Sequence, residues 1–383
     1  MLASKKVILI LPSLELGGAE RQAVLLGRFL SLECGAKVAV WGLESPGPVH
    51  DLCQEAGLDC ALVPFRPTGN PVADLIRTIA FARTLRRARP DILLPYTLIP
   101  NLLVGLVWKA TTARICVWNQ RDEGFNLHQQ IAYHRWAVGN VTGCIANSER
   151  GRARLVMDFH LSPDRVDIVR NGVMLTPPQN DRKWWRDKLA VRQDDIVACM
   201  VANLHKYKDH LTVVRGWRLV HDELFRDGIT PKLILAGRYD GTETTILEEV
   251  AALGLKDHVR LSGKIDDVSG LLGAVDFGVF SSVSEGCPNG VLESMLSGLP
   301  VVASDIESVR EITGSQGRGL LFQPGNPKDL ADKIITLVRS GSEERRTLGA
   351  RLKFHVKQMY SPEQLCSRTE EILCHYLSCT NPN

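Results

Sequence analysis

Short apolar runs of strand length alternate with helix-spaced stretches along almost the whole chain, and this alternation constrains the fold more than any other feature. Val7-Ile-Leu-Ile-Leu11 reads as a buried strand, and apolar residues then recur at Ala19, Ala23, Leu26 and Leu30, the spacing of one helix face. Lys37–Leu43, Asp91–Pro95, Arg114–Trp118 and Gly143–Ala146 read as further strands. Val72–Arg89 and Asn101–Ala110 read as helices between them. A break follows. Asn171-Gly172 has the composition of a turn, and Pro177-Pro178 leads into the polar run Gln179–Lys183. The pattern then restarts with strands at Ile196–Ala202, Lys232–Ala236, Val259–Leu261, Asp276–Phe280, Pro300–Ala303 and Gly319–Phe322. Helices are expected at Asp209–Asp222, Thr242–Leu253, Asn289–Ser297 and Pro327–Arg339, and a capped final helix opens at Ser361-Pro362. The order implies two doubly wound α/β domains, residues 1–175 and 176–360, joined near 175–182. Ligands of such sheets bind outside the carboxyl ends of the strands.

Lys plus Arg is 46 against 43 Asp plus Glu, a balance of +3 that does not suggest a dedicated nucleic-acid binder. The longest apolar stretch, Leu98–Trp108, is interrupted by Pro100 and Asn101 and falls short of the ~20 residues of a membrane span. Met1–Leu11 lacks the cleavage site of a secretory signal. The ten cysteines form no CxxC pair and fall mostly in apolar runs, so they are expected to be reduced core residues in the cytoplasm.

The most informative segment is Ser281-Ser-Val-Ser-Glu-Gly-Cys-Pro-Asn-Gly-Val-Leu-Glu293. A strand ends at Phe280, a small-residue loop carries Glu285, and a helix opens at Pro288-Asn289-Gly290 and carries Glu293. The amides of Asn289, Gly290 and Val291 are expected to point outward with the positive end of the helix dipole, a site suited to phosphate. Gly290 would let a ligand approach the backbone. Two carboxylates beside a phosphate site accept hydrogen bonds from sugar or ribose hydroxyls.

Glu285-x7-Glu293, set in Ser-Glu-Gly-x-Pro-Asn-x-x-x-Glu, resembles the signature of the retaining family 4 glycosyltransferases, which have the GT-B fold of two Rossmann-like domains facing a central cleft. The resemblance implies that Glu285 contacts the donor sugar and Glu293 the ribose. Ser13–Arg21 resembles the family's first loop, where Gly17 and Gly18 would bring a helix N-terminus to the donor diphosphate. Val201–His210 resembles the stretch carrying a basic pair. Lys208 matches its Lys, whereas Asn203 stands where Arg is usual, and Lys206 or Arg238 would have to compensate for the missing charge. Lys264 and Ile265 fall where the backbone would read the nucleobase. Many members carry a His after the strand ending here at Trp118, and this chain has Asn119 and Gln120 instead, which would hold sugar hydroxyls, with Arg121, Asp122 and Glu123 on the acceptor side. Glu285, Lys208 and Asn119 are thus the candidate catalytic residues. The resemblance also places residues 361–383 back on the first domain.

The reaction implied is transfer from a nucleotide diphosphate sugar, a UDP-sugar, to a glycan or lipid-linked hydroxyl with retention, without metal or cofactor. Asp266-Asp267 reads as a helix cap rather than a metal loop. Two alternatives keep the donor site: a nucleotide-sugar epimerase or hydrolase, and a non-catalytic nucleotide-sugar binding protein. Thr84–Arg89 reads as a solvated basic helix end, with an anionic membrane surface or a lipid-phosphate acceptor as its alternative partner, the former putting the protein on the inner face of the membrane. Lys183-Trp-Trp-Arg186 reads as packing near the hinge.

Overall fold

A computed structural model describes residues 1–121, 127–128 and 130–380. The chain divides into two units, Met1–Gly172 with the segment from Pro362 onward, and Val173–Ser361.

In the first unit the strands are β1 (Lys6–Leu11), β2 (Lys37–Gly42), β3 (Asp59–Leu62), β4 (Ile92–Pro95), β5 (Ile115–Gln120), β6 (Gly143–Ala146) and β7 (Val166–Ile168). The helices are α1 (Gly18–Leu32), α2 (Val49–Glu55), α3 (Pro71–Arg87), α4 (Leu98–Val107), α5 (Ala132–Asn140) and α6 (Glu149–Phe159). The sheet is parallel with order β3-β2-β1-β4-β5-β6-β7, so chain direction across it reverses between β1 and β4. Its inner strands are almost wholly buried because helices cover both faces, whereas the edge strand β3 is mostly exposed.

The second unit has strands β8 (Ile196–Val201), β9 (Pro231–Ala236), β10 (Val259–Gly263), β11 (Phe277–Phe280), β12 (Val301–Ser304) and β13 (Leu321–Phe322). Its helices are α7 (Arg182–Lys188), α8 (His210–Arg226), α9 (Glu243–Ala252), α10 (Val268–Ala274), α11 (Asn289–Ser297), α12 (Glu307–Thr313), α13 (Pro327–Arg339) and α14 (Gly341–Met359). The parallel order is β10-β9-β8-β11-β12-β13, with the reversal between β8 and β11. Asp267 caps α10 by accepting the Gly270 amide at 3.0 Å. Trp185 and Arg186 are buried in α7, the guanidinium donating to the Ala274 carbonyl at 3.1 Å.

The last helix, α15 (Pro362–Cys379), packs on α1 and adds Leu365, Ile372, Leu373 and Tyr376 to the core of the first unit. Arg368 reaches Asp167 at 3.2 Å. Asn171-Gly172 is not a turn; the segment has no regular secondary structure there. The Gln22 amide holds Gly172 on both sides, its Nε2 donating to the carbonyl at 2.8 Å and its Oε1 accepting the N–H at 2.7 Å. A Cβ on residue 172 would lie 2.8 Å from the Pro362 Cα, so glycine is required by the returning chain rather than by a reversal. The strand expected at Gly319–Phe322 begins as a 3-10 turn and pairs only at Leu321–Phe322.

Candidate active site

In the second unit the strand-order reversal places two loops side by side at the carboxyl ends of β8 and β11. The β8 loop carries Lys208 and the β11 loop carries Glu285, and the two side chains form an ion pair. The Lys208 ammonium also lies 5.1 Å from the centroid of the Phe280 ring, the last residue of β11. Both groups are largely buried, with 24% and 13% of their side chains exposed, so water screens the pair little. Ser282 fixes the carboxylate. Its hydroxyl lies 2.7 Å from Glu285 Oε1 and 2.8 Å from the Tyr207 carbonyl, sharing its proton between them. The Val283 amide donates to the same carbonyl at 3.1 Å. Asp209 caps α8 through the Thr212 amide at 3.2 Å and accepts the Ser281 hydroxyl at 3.2 Å.

Helix α11 begins four residues after Glu285 in the chain. Its Val291 amide donates to the Pro288 carbonyl at 3.1 Å, and Val291 is fully buried. Val291 is therefore removed from the expected anion donors, which narrows them to Asn289 and Gly290. The reason for Gly290 also changes. A Cβ there would lie 2.2 Å from the Val201 carbonyl, so glycine lets the helix sit against the end of β8. Glu293 is half-buried one turn along.

Asn203 is exposed, and its side-chain oxygen accepts the Arg238 amide at 3.2 Å. It ties the β8 loop to the β9 loop instead of supplying charge. Gly237 completes that junction, since a Cβ there would lie 1.9 Å from the Ala202 carbonyl. Of the two expected compensating cations, Arg238 faces Asp240 at 3.7 Å and exposed Lys206 lies over the Tyr207 ring at 5.1 Å. Lys264 pairs with Asp266 at 3.2 Å in solvent, and Ile265 is half-buried against the Trp185 cluster; both follow β10, the sheet edge, two strands from Lys208.

In the first unit, Gly17 and Gly18 open α1 after β1, beside that sheet's reversal. The Glu20 carboxyl turns back to the Gly17 and Glu20 amides, and burial raises its pKa. A carboxylate from the helix's own first turn thus covers the N-terminus expected to take the diphosphate. The expected polar loop at Asn119 and Gln120 is the buried end of β5. Asn119 exchanges hydrogen bonds with Asn101, its amide donating to Oδ1 at 3.2 Å and its carbonyl accepting from Nδ2 at 2.8 Å. Its side-chain oxygen accepts from Arg121 at 3.2 Å, and Gln120 accepts the Trp118 indole N–H at 2.8 Å. Arg121 is buried over the Tyr96 ring at 5.0 Å. Asn119, Gln120 and Arg121 are accordingly packed into the sheet end, which removes Asn119 from an open sugar pocket. Asp122 and Glu123 lie outside the described residues.

The family profile described as Glycosyltransferase Family 4 matches residues 16–176, and the one described as Glycosyl transferases group 1 matches residues 195–340. The chain belongs to the family 4 glycosyltransferases, of GT-B fold. It is 27% identical over 195 residues to the N-acetyl-alpha-D-glucosaminyl L-malate synthase of Bacillus anthracis, a match spanning 51% of this chain and 49% of that relative's length. It is 22% identical to a Campylobacter jejuni N-acetylgalactosamine-N,N'-diacetylbacillosaminyl-diphospho-undecaprenol 4-alpha-N-acetylgalactosaminyltransferase, over 87% of this chain and 90% of the relative. Among solved structures, Anabaena Alr3699/HepE in complex with UDP and glucose superposes with a TM-score of 0.82 at 18% identity, covering 97% of this chain and 100% of the other.

Three residues of this glycosyltransferase escape a reading by motif. Ser282 orients Glu285, and its signal was only its place in a run of small residues. Asn101 is fully buried and pairs with Asn119, and an amide inside an apolar helix was the available sign. Thr97 follows β4 at the reversal of the first sheet and takes φ 66°, ψ 178°. Such backbone costs a non-glycine residue on the order of 1–3 kcal/mol and has no sequence signature.

Proposed function

We propose that this glycosyltransferase moves a sugar from a UDP-sugar to a hydroxyl of a lipid-linked glycan precursor, with retention at the anomeric carbon and without a bound metal. One observation carries the reading: Lys208 and Glu285 meet at the carboxyl ends of the two strands flanking the order reversal, beside the start of α11. An ammonium has three protons to donate, so Lys208 can keep Glu285 and still meet a diphosphate oxygen. In the reaction the bond between the anomeric carbon and the phosphate oxygen breaks, and the acceptor oxygen bonds to that carbon. The proton of the acceptor hydroxyl leaves on the nucleoside diphosphate. Lys208 and the first amides of α11 meet the charge that develops on the leaving group. Glu285 holds a donor-sugar hydroxyl and Glu293 the ribose. The UDP of the Anabaena complex and the undecaprenol diphosphate in the Campylobacter relative's name support the choice of donor and acceptor. A lipid-linked acceptor would bring the protein to a membrane surface.

The test is release of UDP from a panel of UDP-sugars with and without polyprenyl-diphosphate saccharides, with the product's anomeric configuration read by NMR. Acceptor-dependent release giving an α product from an α donor is expected. Release that is independent of acceptor would make the protein a hydrolase, and an inverted product would overturn retention.

A further inference from the structure

Three serine hydroxyls are sealed beneath the loop that carries Glu285. Ser304, the last residue of β12, is fully buried, as are Ser281 and Ser282 after β11. Their meeting follows from the strand register. Phe280 lies opposite Ala303 in the parallel ladder, so Ser281 and Ser304 are the next residues of neighbouring strands. The ladder then changes partner. The Gly278 amide donates to the Pro300 carbonyl at 2.9 Å, and the same step two rungs on would join the Ser282 amide to the Ser304 carbonyl. That carbonyl instead accepts the Ile306 amide at 2.8 Å as the chain leaves the sheet for α12. The Ser304 hydroxyl takes its place and accepts the Ser282 amide at 3.0 Å. A side-chain oxygen thus extends the sheet by one rung into the Glu285 loop. Val301, Val302 and Ala303 have no polar side-chain atom, so nothing else on β12 can supply this bond.

The extra rung reaches both members of the ion pair. On one side it fixes the backbone of Ser282, whose hydroxyl donates to Glu285 Oε1 at 2.7 Å. On the other side the Ser304 hydroxyl lies 3.5 Å from that of Ser281, which donates to Asp209 Oδ2 at 3.2 Å. Asp209 follows Lys208 in the chain and caps α8 through the Thr212 amide. Alanine at 304 would leave the Ser282 amide buried without a partner, and buried amides are rarely left so. The loop would have to turn to find one, and Glu285 would move with it.

We propose that Ser304 is a positioning residue for sugar transfer: fully buried, it acts through Ser282 and Ser281 to hold the Lys208–Glu285 pair in register. The proposal rests on the donor-site reading above. Turnover of the full chain is measured with the UDP-sugar and polyprenyl-diphosphate saccharide that release most UDP in the panel already described. The value of kcat is referred to the sites counted by UDP titration, so a loss of folded protein does not enter it. Ser304→Ala is expected to lower kcat by about tenfold or more, because small misplacements of reacting groups cost up to ~10²-fold. Donor KM should change by less than about twofold, since Glu293 and the start of α11 lie outside this network. Ser282→Ala should lower kcat similarly. The double variant should be no slower than the slower single one, because both act through Glu285, whereas independent effects would multiply to about a hundredfold. Lys208→Ala is the reference. A reduced kcat for Lys208→Ala beside a normal one for Ser304→Ala overturns the proposal alone. So do multiplying effects in the double variant, or a Ser304→Ala defect confined to KM. A near-normal kcat for Lys208→Ala overturns the donor-site reading and this proposal with it.

Discussion

Lys208 and Glu285 are each other's partner as the structure stands, so neither can be altered alone without cost. Removing Lys208 leaves a mostly buried carboxylate unpaired and takes away the charge nearest the proposed leaving group. Lys208→Ala is expected to lower kcat by ~10²–10³ at saturating donor. Steady-state kinetics check this, and a near-normal kcat would transfer the role to Lys206 or Arg238. His210, two residues on, offers a test independent of catalysis. Burial, helped by the Lys208 charge, lowers its pKa from 6.5 to about 4. The unfolded chain therefore binds a proton below pH 6.5 that the folded chain refuses until about pH 4. Stability from this group is complete above pH 6.5 and is lost as pH falls toward 4, an effect on the order of a few kcal/mol. His134, His221 and His258 are shifted the same way and persist in a His210→Phe variant. The difference between the two urea-unfolding curves across that pH range isolates His210. Parallel curves would show that it does not titrate as described.

The elements make the same residues intelligible for other reasons. Gly290 looked like a ligand contact and is a packing contact, with the Val201 carbonyl 2.2 Å from where a Cβ would be. Gly290→Ala must push α11 away from β8, and overpacking of this kind costs about 1–3 kcal/mol. Loss of donor affinity together with a lower melting temperature is expected; calorimetry and nucleotide titration check it, and unchanged stability would refute the packing account. The alternation of strands and helices was legible because continuous buried strands read as apolar runs, as in Val7–Leu11 and Ile196–Val201. Edge strand β3 was not legible, since Asp59, Ala61 and Leu62 are exposed and no burial pattern marks them. The end of β5 was misread for a related reason. Asn119, Gln120 and Arg121 look like a polar loop, yet they are buried because the Asn101 amide and the Tyr96 ring, distant in sequence, meet them there. The Glu285–Glu293 motif was readable because one short strand-loop-helix carries it. Its counterpart Lys208 lay 77 residues away and was placed by resemblance alone.

At the scale of the whole molecule, each unit has its own sheet and its own cores, but the first is assembled from two distant stretches of chain. Without α15 the face of its sheet that α1 and α2 share would lose Leu365, Ile372, Leu373 and Tyr376. The packing is close enough that a Cβ on Gly143 would lie 2.2 Å from the Tyr376 ring. Leu373 is fully buried there, and truncating such a leucine to alanine costs about 2–5 kcal/mol. For a unit of this size that corresponds to a drop of about 4–20 °C in its midpoint. The proposed donor residues Lys208, Glu285 and Glu293 all lie in the second unit, so UDP at a hundred times its Kd should stabilise that unit by about 2.7 kcal/mol. Scanning calorimetry is therefore expected to resolve two transitions. UDP should raise one of them, and Leu373→Ala should lower the other while leaving the UDP-sensitive one in place. A single transition shifted by both perturbations would mean that the two units melt as one. A UDP-sensitive transition lowered by Leu373→Ala would mean that the nucleotide draws its stabilisation from the unit that α15 completes.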